Sequence, residues 1–217
     1  MKERSVNHTY NHDEILTVIL DALRNAPQNR IPIGVSNRHI HLSQTDLESL
    51  FGSGYCLTKL KDLSQPGQYA CKETVTICGS KGVIEKVRIL GPVRAKTQVE
   101  ILASDCFKLG VNAPVKPSGE LDGTPGGITL VGPKGSVQVK SGLIIAQRHI
   151  HMTNDDAKRL HVCDGQIVSI EVYGARGGVL HDTIIRANDA SYLECHLDME
   201  EANALGADAS STVEIKK

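Results

Sequence analysis

Two four-residue strings recur in this chain without change, Arg38-His39-Ile40-His41 and Arg148-His149-Ile150-His151, at an offset of 110. In an extended segment, residues i and i+2 point to the same face about 6.5–7 Å apart, so the two imidazoles of His-x-His can converge on one cation. On a helix they would diverge. A third ligand for each pair comes from aligning the chain downstream of the strings. The segments Glu100–Gly110 and His196–Gly206 both end in Leu-Gly, and counting back from the glycines sets Glu100 against His196. Each half then offers three N/O ligands, His39, His41 and Glu100 or His149, His151 and His196, with a fourth position open. That is the ligand count of a catalytic zinc site, since a structural one is closed by four. With no cysteine in either set, two zinc ions are the first expectation, and cobalt, nickel or manganese are the alternatives.

A second cluster of chemistry lies between Lys81 and Lys96, where Lys81, Lys86, Arg88, Arg94 and Lys96 face a single acid, Glu85. If the run is a strand, Lys86 and Arg88 share a face, as do Arg94 and Lys96. Such a run is either a solvated face or an anion site, because a guanidinium can fork onto phosphate while lysines attract the same charge. Arg94, six residues before Glu100, is the arginine best placed to reach the metals. His8, His12, His161 and His181 have no comparable context and read as solvent or hairpin residues. Cys106 and Cys195 lie near ligand positions, but no neighbour marks either as an activated thiolate.

The elements that must hold these groups follow from the same repeat. Residues 36–50 match 146–160 beyond the histidines: an apolar run, then Ser43 or Thr153 where a helix N-cap falls, then Asp46 or Asp156 three residues later. Each copy reads as a strand running into a capped helix, followed by a valine-rich hairpin. Turns at 79–82, 132–135 and 174–177, each bounded by glycines, sit between Val/Ile-rich runs. The glycine-rich stretch 117–127 precedes no helical pattern and reads as a loop, not a phosphate-binding turn. With seven aromatic residues and no Trp among 217, the core must be Val, Ile and Leu in short runs, which favours strands. Two domains of roughly 90 residues are compatible with this length. Residues 1–29 stand apart: over 11–25 the spacing of Ile15, Ile19 and Leu23 predicts a short amphipathic helix, packed on the body or docked to a partner.

A net charge of -1 gives no global field for nucleic acid or an anionic membrane. No apolar stretch approaches the roughly 20 residues that span a bilayer, and no signal-peptide core is evident. Six cysteines without a Cys-x-x-Cys pair suggest reduced thiols in the cytoplasm.

Taken together, residues 34–42, the run 87–94, Pro117-Ser118-Gly119, Arg148–Met152 and His196-Leu197-Asp198 resemble the PduL-type phosphotransacylases, or phosphate propanoyltransferases. The resemblance covers residues 31–215. It implies a mainly β fold: two small β-barrels related by the repeat and capped by short helices, with two zinc ions between them. It implies a first strand swapped between halves, so that the units are 38–145 and 30–37 plus 146–217. It implies exchange of an acyl group, propanoyl or acetyl, between coenzyme A and phosphate, with phosphate at Arg94. Coenzyme A contacts would fall at Val35, Ser36, Asn37, Lys61, Arg88, Leu90 and Asn203. Some relatives carry an N-terminal helix that directs them into a bacterial microcompartment, and residues 11–25 are similar in character, which makes shell or lumen proteins further partners. A homo-oligomer is left open.

Residue chemistry suggests direct attack of phosphate on the thioester carbonyl, with oxyanion charge neutralised by the metals and no acyl-enzyme required. Two other readings of the metal ligands remain: a dinuclear hydrolase of thioesters or phosphoesters, and a non-enzymatic metal- or sugar-binding double barrel. The latter leaves Arg88 and Arg94 unexplained.

Overall fold

A computed structural model of the chain describes residues 11, 15–17, 29–174 and 176–216. In the N-terminal segment, residues 15–17 are helical and Ile15 N donates to Asn11 O at 3.1 Å. The remainder of the helix expected over 11–25 lies outside the described residues, as do His8 and His12. Residues 31–217 form one compact unit, and it is mainly β.

Two sheets make up this unit. The first is a closed barrel of β1 (Ile31–Ser36), β14 (Glu194–Asp198), β11 (His149–Met152), β13 (Gly178–Ala187), β12 (Ile167–Val172) and β15 (Thr212–Lys216), in that order around the wall. The second is a curled, nine-stranded half-barrel. Its order is β7 (Val115–Lys116), β10 (Leu143–Ala146), β6 (Gln98–Glu100), β2 (His39–His41), β5 (Val83–Gly91), β4 (Tyr69–Cys78), β8 (Ile128–Val131) and β9 (Ser136–Val139), with β3 (Lys59–Asp62) paired onto β4. The two barrels expected from the resemblance are thus one closed barrel and one half-barrel.

The repeat is visible as matched pairing. β2 runs parallel to β5 and antiparallel to β6; β11 runs parallel to β13 and antiparallel to β14. The strand preceding each His-x-His copy crosses to the other sheet. β1 lies parallel to β14 with Gly34 opposite His196, and β10 lies parallel to β6 with Ile144 opposite Glu100. Accordingly Ile31 and Ile33 are buried in the core of the barrel, and Leu143 in that of the half-barrel.

Local sequence accounts for the connections. Ser43 and Thr153 accept from the backbone N–H of Asp46 and Asp156 at 3.2 and 3.0 Å, starting α1 (Gln44–Phe51) and α3 (Asn154–Leu160). Leu47 and Leu50 bury one face of α1, and Ala157 and Leu160 that of α3. The two Leu-Gly endings close α2 (Ala103–Leu109) and α4 (Met199–Leu205), with Gly110 and Gly206 left-handed at φ 70° and 61°. The three glycine-bounded turns join β4 to β5, β8 to β9 and β12 to β13. The basic run departs from the expected alternation. Lys86 has φ 56° within an irregular register of β4 and β5, and Arg94 and Lys96 fall in the connection after β5. Arg94 and Lys96 therefore share no strand face, whereas Lys86 and Arg88 flank the buried Val87 within β5. Among the described residues no helix is long and apolar enough to cross a membrane.

Candidate metal centre and anion cleft

All six histidine and glutamate positions line one cleft of about 600 Å³ formed by residues of both sheets. Strand pairing brings them there. On β2 and β6, His39 is opposite Glu100, and on β11 and β14, His149 is opposite His196. In each group the ligand-capable atoms lie within 4.8 Å of one another. The rings of His39 and His41 are 5.2 Å apart, those of His149 and His151 4.7 Å, and both of the latter stand 4.9 Å from His196.

The hydrogen bonds fix which ring nitrogens are free. His39 Nδ1 and His149 Nδ1 donate to the carbonyls of Asn37 and Gln147, at 2.7 and 2.8 Å, which leaves each Nε2 as a lone pair in the neutral ring. His39 Nε2 faces Glu100 Oε2 at 3.3 Å. His149 Nε2 stands 3.2 Å from His151 Nε2. His41 Nδ1 and His151 Nδ1, equivalent in the repeat, are buried without a partner. A buried unpaired nitrogen costs about 1–3 kcal/mol, and here it occurs once in each triad. Converging lone pairs, joined by a carboxylate in one triad, are what a divalent cation would satisfy, so the residues fit one metal per triad.

Electrostatics favours the same reading. Burial, reinforced by His196, holds the His149 pKa down to about 4. Burial together with neighbouring histidines and arginines holds His41 and His151 down to about 3. All three rings are therefore neutral at pH 7, the form in which imidazole can bind a metal. Burial disfavours charge on His39 too, but the Glu100 carboxylate outweighs it and the net direction is upward. Burial likewise opposes charge on Glu100, yet His39 and His41 hold its carboxyl far below the usual range. Cys195 is fully buried and its thiol is pushed far up by desolvation, the opposite of an activated nucleophile.

Four supporting groups escaped sequence reasoning. Gln98 is buried beneath Glu100, donates to its carboxylate and to Ser118 Oγ, and accepts from Gly119 N at 2.9 Å. Ser118 also donates to Glu100 Oε1 at 2.8 Å, so the glycine-rich loop forms one wall of the site. Glu194 holds the position in β14 that Gln98 holds in β6, and it bonds His196 Nε2 at 2.6 Å. Each metal group therefore has one carboxylate: in the ligand position of one, two residues upstream in the other. Arg186, opposite His151 on β13, lines the cleft. Its signal in the sequence was a lone arginine after Ile184 and Ile185, two residues beyond the position that corresponds to Arg88.

The repeat's own arginines serve differently. Arg38 Nε donates to Asp105 and Arg148 Nε to Glu201, each at 2.7 Å, tying each His-x-His strand to the first turn of α2 or α4. Of the other residues expected to bind ligands, Val35, Ser36, Asn37, Arg88, Leu90 and Arg94 line the cleft. Lys61 and Asn203 are exposed outside its lining. His161 and His181 are exposed, as expected.

The model of the family described as phosphate propanoyltransferase matches residues 32–208. A phosphate propanoyltransferase of Rhodobacter capsulatus is 51% identical over 187 residues, covering 86% of both chains. Proteins of the same name from Thermotoga maritima and Rhodopseudomonas palustris are 56% and 50% identical, covering 80% and 87% of this chain and 83% of each relative. With matches of this extent over the half-barrel, the barrel and the cleft between them, the chain belongs to the phosphate propanoyltransferase family, a family of acyltransferases.

Proposed function

We propose that this chain interconverts an acyl-coenzyme A, propanoyl or acetyl, and phosphate with an acyl phosphate and coenzyme A. The reaction takes place in the shared cleft, at a dinuclear centre held by His39, His41 and Glu100 and by His149, His151 and His196. The units that close on it are residues 38–145 and 30–37 plus 146–217. The observation that supports this reading is the convergence on one cleft of two triads of side chains able to hold a cation, together with the Arg94 guanidinium.

Divalent ions, zinc foremost, would supply Lewis acidity toward the thioester carbonyl and would neutralise charge on phosphate. The chain's own groups do the positioning. Arg94 holds the phosphate dianion, and Gln98 Oε1 accepts from Arg94 Nη1 at 3.4 Å, tying that arm to the residues around Glu100. A phosphate oxygen attacks the carbonyl carbon, the C–S bond breaks, and coenzyme A leaves as a thiolate. Val35, Ser36, Asn37, Arg88 and Leu90 form the coenzyme A side of the cleft, with Lys61 and Asn203 reaching it from outside. Residues 11–25 are an address for a microcompartment, read by shell or lumen proteins.

Purified, metal-loaded protein given propanoyl- or acetyl-coenzyme A tests this reading. Free thiol should appear only with phosphate and be matched by acyl phosphate. Release without phosphate would instead mark a thioesterase.

A further inference from the structure

Four arginines line the cleft, and their charges are met in different ways. Arg38 is neutralised by Asp105 at 2.7 Å. Arg88 Nη1 caps the carbonyls of Cys71 and Lys72 at 3.0 and 2.9 Å. Arg94 and Arg186, like Arg88, have no carboxylate within ion-pair distance among the described residues, but each guanidinium makes only one hydrogen bond. Their hydrogen bonds go to neutral oxygens: Arg94 Nη1 to Gln98 Oε1 at 3.4 Å, and Arg186 Nη1 to the backbone carbonyl of Ser118 at 3.2 Å. Both are only partly exposed.

The two come from opposite halves of the molecule. Arg94 follows β5 and Arg186 sits on β13, yet both line one cleft: burial opposes the charge on Arg94, the Glu100 carboxylate favours it, and Arg186 opposes it again. Two like charges beside two cation-binding groups, in a cleft of reduced dielectric, repel unless an anion lies between them. Each guanidinium keeps nitrogens that its single neutral acceptor does not occupy, and a planar fork matches the oxygens of a tetrahedral anion.

We propose that Arg186 is the second arm of a clamp on the phosphoryl group, gripping from the barrel the same tetrahedral anion that Arg94 holds from the half-barrel. The ligand chemistry is that shared by inorganic phosphate and acyl phosphate. This inference rests on the acyl-transfer reading above and adds the residue that orients the phosphoryl group across the cleft. The anchor on Ser118 aims the arm, because Ser118 Oγ is itself bonded to Glu100. The coenzyme A diphosphate presents similar oxygens, so the test must separate the two sources.

Arg186→Gln and Arg186→Lys are compared with wild type after metal content is matched. The KM for phosphate, and for acyl phosphate in reverse, should rise about 10- to 100-fold in Arg186→Gln. The Lys variant should fall between, added guanidinium should restore part of the loss, and the KM for coenzyme A should stay within about twofold. A readout without turnover accompanies this: phosphate should raise the Tm of metal-loaded wild type, and that shift should vanish in Arg186→Gln. An unchanged phosphate KM with an unchanged thermal shift would overturn the proposal. So would a KM defect confined to acyl-coenzyme A and absent with an acyl-pantetheine, which would assign Arg186 to the diphosphate. If wild type transfers no acyl group to phosphate, the reaction assignment fails, and the thermal shift still decides whether Arg186 holds the anion. If Arg186→Gln does not fold, Arg186→Lys carries both readouts.

Discussion

His149 Nε2 and His151 Nε2 lie 3.2 Å apart in a buried corner of the cleft, while the Nδ1 of His149 is committed to the carbonyl of Gln147. Among the described residues the Nδ1 of His151 has no hydrogen-bond partner. In neutral rings only a proton can sit between the two Nε2 atoms, and it leaves a buried nitrogen unmet. A cation there accepts both Nε2 lone pairs at once and removes their mutual repulsion.

His149→Ala should therefore remove about one of two metal equivalents, with activity falling at least about a hundredfold. Elemental analysis of wild type and variant checks it. Full metal content in the variant would remove His149 from the ligand set. Chelation should abolish activity, and zinc should restore it.

Gly34 lies opposite His196, and a Cβ added there would meet the Glu194 carboxylate, 2.7 Å from Cδ. Glu194 cannot easily retreat, because Ser64 and His196 both hold it. Gly34→Ala should push Glu194 off His196 and weaken the metal held by His149, His151 and His196 about 10- to 100-fold. The metal held by His39, His41 and Glu100 should be unaffected. Competitive metal titration resolves the two affinities.

The Arg38–Asp105 pair places a carboxylate whose side chain is 5% exposed against an arginine that is 29% exposed. Asp105 also accepts from Leu102 N at 3.0 Å, so it caps α2. Arg38→Ala leaves the charge buried without its partner and should cost about 1–3 kcal/mol. Arg38→Lys should recover part of that. The shift in urea midpoint at constant m-value measures it.

Acid sensitivity has a second origin, away from the cleft. Glu73, 8% exposed, accepts from Tyr55 Oη at 2.9 Å and from Thr58 N at 3.0 and 3.1 Å. Burial opposes its charge, but these bonds outweigh burial and lower its pKa below 4.5. A lowered folded pKa stabilises in full above the unfolded value and is lost as pH falls through the folded one. The urea midpoint should thus decline below about pH 4.5, and Glu73→Gln should flatten that decline while costing about 1–3 kcal/mol at pH 7. Denaturation from pH 7 to 3 tests both.

Much of the site was legible because the repeat is written in local patterns. The caps at Ser43 and Thr153 and the Leu-Gly endings before Gly110 and Gly206 are short-range chemistry, and aligning them already set Glu100 against His196, the relation that strand pairing reproduces. What stayed hidden was non-local. Nothing within Ile31–Ser36 specifies that it pairs with residues 195–198, because both sheets offer an equivalent parallel edge. Arg186 was missed because its counterpart by position is not Arg88: one lies opposite His151, the other opposite His39. The alternation argument failed for Arg94 and Lys96 because β5 ends at Gly91 and both residues fall in the connection that follows.

The exchange of β1 between sheets also sets the order in which the molecule can be finished. On a ribosome, Ile31–Ser36 emerges long before its partners, which lie at 195–198 and 212–213. Through most of translation its apolar residues and backbone donors face water or a chaperone, and loop closure over more than 150 residues must precede the last pairing. Until that strand arrives, the barrel wall has a gap between β14 and β15, beside His196. Assembly of the cleft is therefore among the final events of folding, and the nascent chain must be kept from aggregating until then.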